Sequence, residues 1–385
     1  MEKYLHEHPY IVRDWGLKII EVICIDDQID ATNEALKTAF ILTRKFSDLV
    51  LTLPPHTSLE ANVEEKLKEL AKKINLKIVL LSDDQAPFSL DFAENFNSTE
   101  DAVLRLKIAK ISKKISREFA EITPFKSSAL DLLQMTSNPA VSFSDLEEKI
   151  AHEPLLIARI MQIANSAYFI RRSKAQDLDQ ALAYIGIDGF RQVLVQLIFH
   201  NLATRYFSKQ KNLLNHAEAV SYLAVKLAGR ISEDTKLLAK IRVAGLLHDI
   251  GALALQYCFA EEFDKVCEIQ NQSMITKVMA ERKVFGLDHC EIGEKLCFGW
   301  GMPAYLLCCI KEHHIQPSGR FAEIIEPVVI ANAFLNKEIG HLPDLDYLPL
   351  LEKYSLTESN AQTEVKNFLM TKWLEFKEAA LDQID

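Results

Sequence analysis

Five histidines and one aspartate in the second half of this 385-residue chain are the residues whose types and spacing could do chemistry. They are His216 in NHAEAVSYLAVKLA, His248 and Asp249 in VAGLLHDIGALAL, His289 in GLDHCEIGEKL, and the adjacent His313 and His314 in IKEHHIQP. Each lies in or beside a segment with helical periodicity. Apolar helices rarely carry histidines this way, because a buried imidazole needs a partner for each ring nitrogen. A divalent metal would satisfy several at once. Two readings stay open. His248 and Asp249 alone suit a core histidine bonded to its neighbour's carboxylate, and the whole set suits either a metal centre or a buried hydrogen-bond network holding helices in register.

These residues need helices to position them. From about residue 101 onward the pattern is helical with almost no strand signal. Ser98-Thr99 can cap the first helix, with Asp101 in its first turn. Ser144 can cap a helix over 145–151, and Glu153-Pro154 breaks it and starts another that ends near Asn165. Further helices are expected over 176–185, 188–207, 214–230, 235–255, 259–271, 274–284, 290–298, 303–313, 321–337 and 361–381. Adjacent residues on a helix lie about 100° apart, so His313 and His314 are not expected to share one ion. One would ligate while the other reaches a second ion or a helix terminus.

Residues 1 to about 95 read differently. Short apolar runs at 17–25, 49–53 and 76–80 have strand length, and 59–74 carries Val63, Leu67, Leu70, Ala71 and Ile74 at helical spacing. This predicts a small α/β domain, with 84–100 as a loop or boundary. His6, His8 and His56 fall in this part, away from the relay. Asn165-Ser166 reads as a helix end rather than a ligand contact. Cys308-Cys309 reads as core thiols, and Trp300 between two glycines as a plug at a helix junction.

The whole chain sets limits. At 385 residues it exceeds one simple core. No apolar run approaches the ~20 residues of a bilayer span, and the first residues lack a signal-peptide core, so a cytoplasmic protein is expected. Seven cysteines, an odd number without CxxC pairing, suit reduced thiols. The net charge of -10 argues against a general nucleic-acid binder. The basic run 107–117 reads as a solvated helix face.

Over 123 to about 335 the chain resembles the HD-related output domain (HDOD) family of bacterial signalling proteins, relatives of the HD and HD-GYP metal-dependent phosphohydrolases. The resemblance rests on NPAVSFSDLEEKIAHEPLLIARIMQIANSAYF, on DQALAYIGIDGFRQVL, and on the histidine relay with HCEIGEKLCFGWGMPAYLLCCIKEHH. It departs from the family's pattern at Glu153-Pro154, where Asp-Pro is usual. It departs more consequentially at Asn332, which stands where HD hydrolases carry a late metal-binding aspartate. A neutral amide is a poorer ligand than a carboxylate and cannot act as a base. More weakly, Ala35–Ala39 and Val50–Pro54 resemble a lysine-containing turn and following strand of prolyl-tRNA editing (aminoacyl-tRNA deacylase) domains.

Periodicity and the resemblance together give a multidomain chain: a small α/β domain at 1–95 and a linker helix at 96–122 from the pattern of apolar residues, and from the resemblance an all-α HD-domain/PDEase-like helical bundle at 123–385. Within that bundle the resemblance implies an N-terminal helical part (123–207), an HD-type bundle (208–337) and C-terminal helices (338–385). It implies a regulatory, non-catalytic module acting on signalling proteins or a small, nucleotide-like ligand, while the missing apolar span and the net charge of -10 argue against membrane and nucleic acid as partners. The alternatives are a phosphohydrolase acting on a nucleotide or cyclic dinucleotide, and tRNA editing through the first domain around Lys37. If a divalent metal binds (Fe, Mn, Mg, Ni or Zn), the HD pattern makes His216, His248 and Asp249 its direct ligands. His289, His313 and His314 would then line the same cavity and could hold a second ion, and Asn332 would point into it.

Overall fold

A computed structural model describes residues 10–24, 29–42, 45, 48–53, 61–80, 94–96, 98–121, 128–136, 138, 141–150, 154–165 and 174–354. It opens with β1 (Tyr10–Gly16), β2 (Ile19–Cys24), α1 (Ile29–Leu42), β3 (Asp48–Leu53), α2 (Ala61–Lys73), β4 (Asn75–Leu80) and β5 (Glu94–Phe96). The strands form one sheet in the order β1-β2-β3-β4-β5, antiparallel at the first pair and parallel thereafter. Alternation sends Ile20, Val22 and Cys24 of β2 and Leu49, Leu51 and Leu53 of β3 into one core, with Ala35, Leu36 and Ala39 of α1 and Leu67 and Leu70 of α2.

Three details differ from the sequence reading. Leu17 and Lys18 are not strand; with φ of 51° and 59° they turn the chain between β1 and β2. β5 lies inside the segment expected to be loop, because three paired residues carry no readable alternation. Ala35–Ala39 is not a turn but the middle of α1, with Lys37 exposed on it.

The helical part runs α3 (Thr99–Glu121), α4 (Ser128–Met135), α5 (Phe143–Ile150), α6 (Pro154–Ala164), α7 (Leu178–Arg205), α8 (Lys211–Ala228), α9 (Thr235–Leu247), α10 (Ile250–Cys258), α11 (Ala260–Ser273), α12 (Lys277–Phe285), α13 (His289–Gly299), α14 (Ala304–Glu312), α15 (Ala322–Glu338) and α16 (Leu348–Lys353). By contact density the chain forms two compact units. One comprises residues to Lys114 plus 283–286, and the other 115–282 and 287 onward, so the division falls inside α3. A small α/β region followed by a helical domain is the fold the sequence predicts.

Ser98 Oγ accepts from the Asp101 N–H, as the expected cap does. At α5 the cap is Ser142 rather than Ser144: its Oγ accepts from the Asp145 N–H, and Asp145 accepts in return from Ser142 N–H and Oγ–H. Asn165 ends α6 and clasps the backbone of Ala175, its Oδ1 2.7 Å from the Ala175 nitrogen and its Nδ2 3.2 Å from the Ala175 oxygen. Gly186 (φ 67°) bends α7 where two helices were expected.

Gly186 divides Leu178–Thr204 near the boundary that the sequence reading expected, and the most apolar 18-residue window of this stretch has mean hydropathy 1.3 and is 56% buried. Those are also the properties of a core helix in a bundle. In the basic run on α3, Lys107 is buried, Lys110 pairs with Asp48 and Arg117 with Glu118. The predicted helix over 361–381 and His6, His8, His56 and Ser166 lie outside the described residues.

Candidate metal centre

The expected single helix over 235–255 is two helices, α9 and α10, broken at His248-Asp249. The apolar period runs on through the break, so the sequence hides it. Asp249 leaves helical geometry (φ -99°, ψ 17°), and both side chains are buried at the junction. The glycines of GLLHDIG explain how other helices reach this point. A Cβ on Gly245 would lie 2.5 Å from Ser221 Cα on α8, and one on Gly251 would lie 1.9 Å from the His289 carbonyl oxygen on α13. Only glycine permits α8 and α13 to approach so closely.

All seven sequence-predicted residues meet here. His216 lies on α8, His289 is the first residue of α13, His313 and His314 follow the end of α14, and Asn332 lies on α15. His313 and His314 stand past the last helical turn, so the 100° argument does not apply to them. Their ring centroids are 4.2 Å apart, and both belong to one group of potential ligand atoms. Their placement therefore does not impose the separation that helical spacing would.

The Nδ1 atoms of four of the five histidines are engaged behind the rings. His248 Nδ1 donates to the Gly245 carbonyl at 2.7 Å, and His313 Nδ1 to the Ile310 carbonyl at 3.0 Å. His289 Nδ1 donates to Glu281 Oε2 at 2.6 Å, and His314 Nδ1 lies 2.6 Å from Asp344 Oδ2. Each Nδ1 proton is therefore spent away from the centre, which leaves Nε2 facing inward. His289 Nε2 lies 3.1 Å from His313 Nε2 and 3.0 Å from His314 Nε2. His248 Nε2 is fully buried with no hydrogen-bond partner, 3.9 Å from Asp249 Oδ1. Rings fixed by carbonyls and carboxylates behind them, with bare nitrogens converging in front, are how proteins orient histidine ligands.

Two further contacts occupy the remaining positions. Lys277 Nζ on α12 pairs with Asp249 Oδ2 at 3.0 Å. His216 Nε2 donates to Asn332 Oδ1 at 2.9 Å, and Asn336 Nδ2 donates to the same oxygen at 3.0 Å. Asp249 Oδ1 faces the relay, 3.1 Å from His289 Nε2 and 3.4 Å from His313 Nε2. Sequence reasoning missed Lys277, Glu281, Cys290 and Asp344. Lys277 and Glu281, four residues apart on one helix face, look like an ordinary solvated ion pair. Asp344 sits in a loop without periodicity.

Burial disfavours charge on most of these rings. It pushes His216 down to about 3 and His248 to about 4, and with His314 beside it His313 falls well below the usual range. Burial also opposes the charged forms of Asp249 and His289, but neighbours win. Lys277, His248 and His289 hold the Asp249 carboxyl well below the carboxylate range. Cys290, Glu281 and Asp249 hold His289 well above the imidazole range. Facing lone pairs 3 Å apart repel unless a positive charge sits between them. A proton on His289 or a divalent cation meets that need, and the residues fit either. The ligand atoms fall into two clusters, His216-His248-Asp249 and His289-Cys290-His313-His314, each with all its atoms within 4.8 Å of one another.

The profile of the HDOD domain matches residues 122–316, just over half of the chain. A Treponema pallidum protein of uncharacterized function is 26% identical over 239 residues, covering 62% of this chain and 46% of the relative. Ribonuclease Y of Deinococcus radiodurans is 28% identical over 235 residues, covering 57% and 35%. The chain thus spans less than half the length of these curated relatives. A crystal structure of an HDOD domain protein from Geobacter sulfurreducens superposes with TM-score 0.44 at 23% identity, covering 69% of this chain and 95% of that one. The extent of the profile match, over the segment that carries the histidine centre, places this chain in the HDOD family.

Proposed function

We propose that this is a regulatory, non-hydrolytic HDOD protein whose helical bundle binds a divalent metal and transmits its state to a signalling partner or a small anionic ligand. One observation carries the reading: the positions a hydrolytic HD centre needs open are occupied by the protein's own groups. Lys277 neutralises one oxygen of Asp249 at 3.0 Å, and the Asn332 amide stands where a last carboxylate would, held by His216. A metal that activates water needs anionic ligands for charge balance and an open coordination position. Here one carboxylate is replaced by an amide and the other is shared with an ammonium group. A divalent ion held by the histidines would supply a positive charge able to bind an anionic oxygen. The chain's own residues orient that charge through Glu281, Asp344 and the two carbonyls.

A groove of about 530 Å³ reaches Asp344, the residue behind His314, and is lined by Lys337, His341 and Tyr347 among others. The hydrolytic alternative draws support from the converging Nε2 atoms. No observation favours tRNA editing, since Lys37 lies exposed on α1.

The test is metal analysis of untagged full-length protein beside a phosphoester panel that includes cyclic dinucleotides and RNA. The expected result is bound metal without turnover, with more metal retained by Asn332→Asp and Lys277→Ala. Metal-dependent turnover by the unaltered protein, abolished in His248→Ala, would overturn the reading.

A further inference from the structure

We infer that Cys290 is a metal ligand, and that with His289, His313 and His314 it forms a thiolate-bearing site for a zinc-class ion. This rests on the reading that the centre binds a divalent metal, and it goes further in naming the donor set and the class of metal.

The evidence is geometric. Cys290 is buried at the start of α13, beside His289. Its Sγ lies 3.6 Å from His289 Nε2 and 4.0 Å from His313 Nδ1, whose proton is committed to the Ile310 carbonyl. In a tetrahedral zinc site with Zn–N and Zn–S bonds of about 2.1 and 2.3 Å, ligand nitrogens stand about 3.4 Å apart and sulfur about 3.6 Å from nitrogen. The nitrogen pairs here are 3.1 and 3.0 Å apart, and the sulfur–nitrogen distance is 3.6 Å. The three pairs that include His289 Nε2 are near the spacing of a coordination shell, and all four residues can place a donor atom within 4.8 Å of the others.

Donor chemistry chooses the metal. Three imidazoles and a thiolate are borderline-to-soft ligands, which suit zinc, cobalt or ferrous iron and discriminate against magnesium and calcium. Asp249 Oδ1 also faces this point, but the carboxylate shares its charge with Lys277, so the thiolate is the ligand that adds a full negative charge. On binding, the Cys290 S–H bond breaks, its proton passes to buffer, and the sulfur electron pair forms the bond to the metal. No oxidant or reductant is involved.

Cobalt substitution reads the sulfur directly. Untagged full-length protein would be stripped with a chelator and titrated with cobalt(II). A near-ultraviolet thiolate-to-cobalt charge-transfer band is expected at one equivalent. Cys290→Ser should abolish the band and weaken zinc binding at least tenfold. Cys309→Ser and Cys297→Ser, which alter buried thiols outside the donor set, should keep it.

Cobalt bound without such a band, or a band lost in Cys309→Ser or Cys297→Ser instead, overturns this inference and leaves the proposed function standing. Binding of no metal at all removes both. If Cys290→Ser fails to fold, Cys290→Ala and the unaltered protein's own spectrum decide the question.

Discussion

Among the described residues two buried polar clusters, one in each unit, are built on opposite principles. In the sheet unit the fully buried Glu21 carboxylate is completely answered. Its Oε1 accepts from Thr52 Oγ1 at 2.7 Å and Thr99 Oγ1 at 3.0 Å, and its Oε2 accepts from Trp15 Nε1 at 3.0 Å. Arg13 stands 3.9 Å away. In the helical unit the histidine centre leaves Nε2 of His248 unanswered and turns three other Nε2 atoms toward one another. A cluster whose donors and acceptors cancel holds a fold together. One whose nitrogens converge on a point needs a proton or a cation to bridge them. The two clusters are similarly buried, and the bookkeeping of lone pairs separates them.

The largest effect is expected where the second cluster depends on helix approach. Gly251→Ala places a methyl 1.9 Å from the His289 carbonyl oxygen and near the Gly293 nitrogen, both backbone atoms. They cannot move without displacing α13. Destabilisation of about 3 kcal/mol or more is expected, since overpacking against backbone exceeds the usual side-chain range. Bound metal should be lost in the same variant. Chemical denaturation followed by helix signal, with metal analysis of the folded fraction, checks both. A variant of unchanged stability would show that the close approach is not what builds the centre.

Next comes the satisfied cluster. Glu21→Ala strips the acceptor from two buried hydroxyls and an indole N–H, and unanswered buried donors cost about 3 kcal/mol together once the Thr52–Thr99 contact takes up part of the loss. Metal content should not change. A change in metal content would dissolve the contrast between the clusters.

What could be read in advance follows the same division. The histidines, His248-Asp249 and Asn332 were legible because those residue types are rare in apolar helices, and the family pattern placed them together. The break at Asp249 was not, because Leu247, Ile250 and Leu253 keep the helical period across it. The end of α14 was legible to within one residue, with His313 as its C-cap, but the approach of the His313 and His314 rings was not, because it depends on how the chain leaves the helix. Lys277 and Glu281 were invisible because inward-facing charge on an amphipathic helix looks like outward-facing charge until the neighbours are known. Glu21 was hidden likewise, one charge in an apolar strand. Glycine approach distances are tertiary facts that no single segment encodes.

The smallest effect sharpens the comparison most. Replacing His313 by leucine removes one of the converging nitrogens and fills its space with apolar atoms. His313 is buried, with one carbonyl bond behind it, and in front of it stand the His289 ring nitrogen at 3.1 Å and Asp249 Oδ1 at 3.4 Å. Apolar replacement of such a group is close to neutral, so the metal-free His313→Leu protein should lie within about 1 kcal/mol of the metal-free parent. The two should part only when metal is added. A ligand that binds the folded state alone stabilises it by about 2.7 kcal/mol at a hundred times its dissociation constant, and that increment should appear in the parent and vanish in the variant. Thermal melts with and without zinc give all four numbers. If the leucine variant is instead several kcal/mol less stable without metal, the relay is a hydrogen-bonded core like the one around Glu21. The two clusters would then share one role, and the inward-facing nitrogens would be bridged by protons alone.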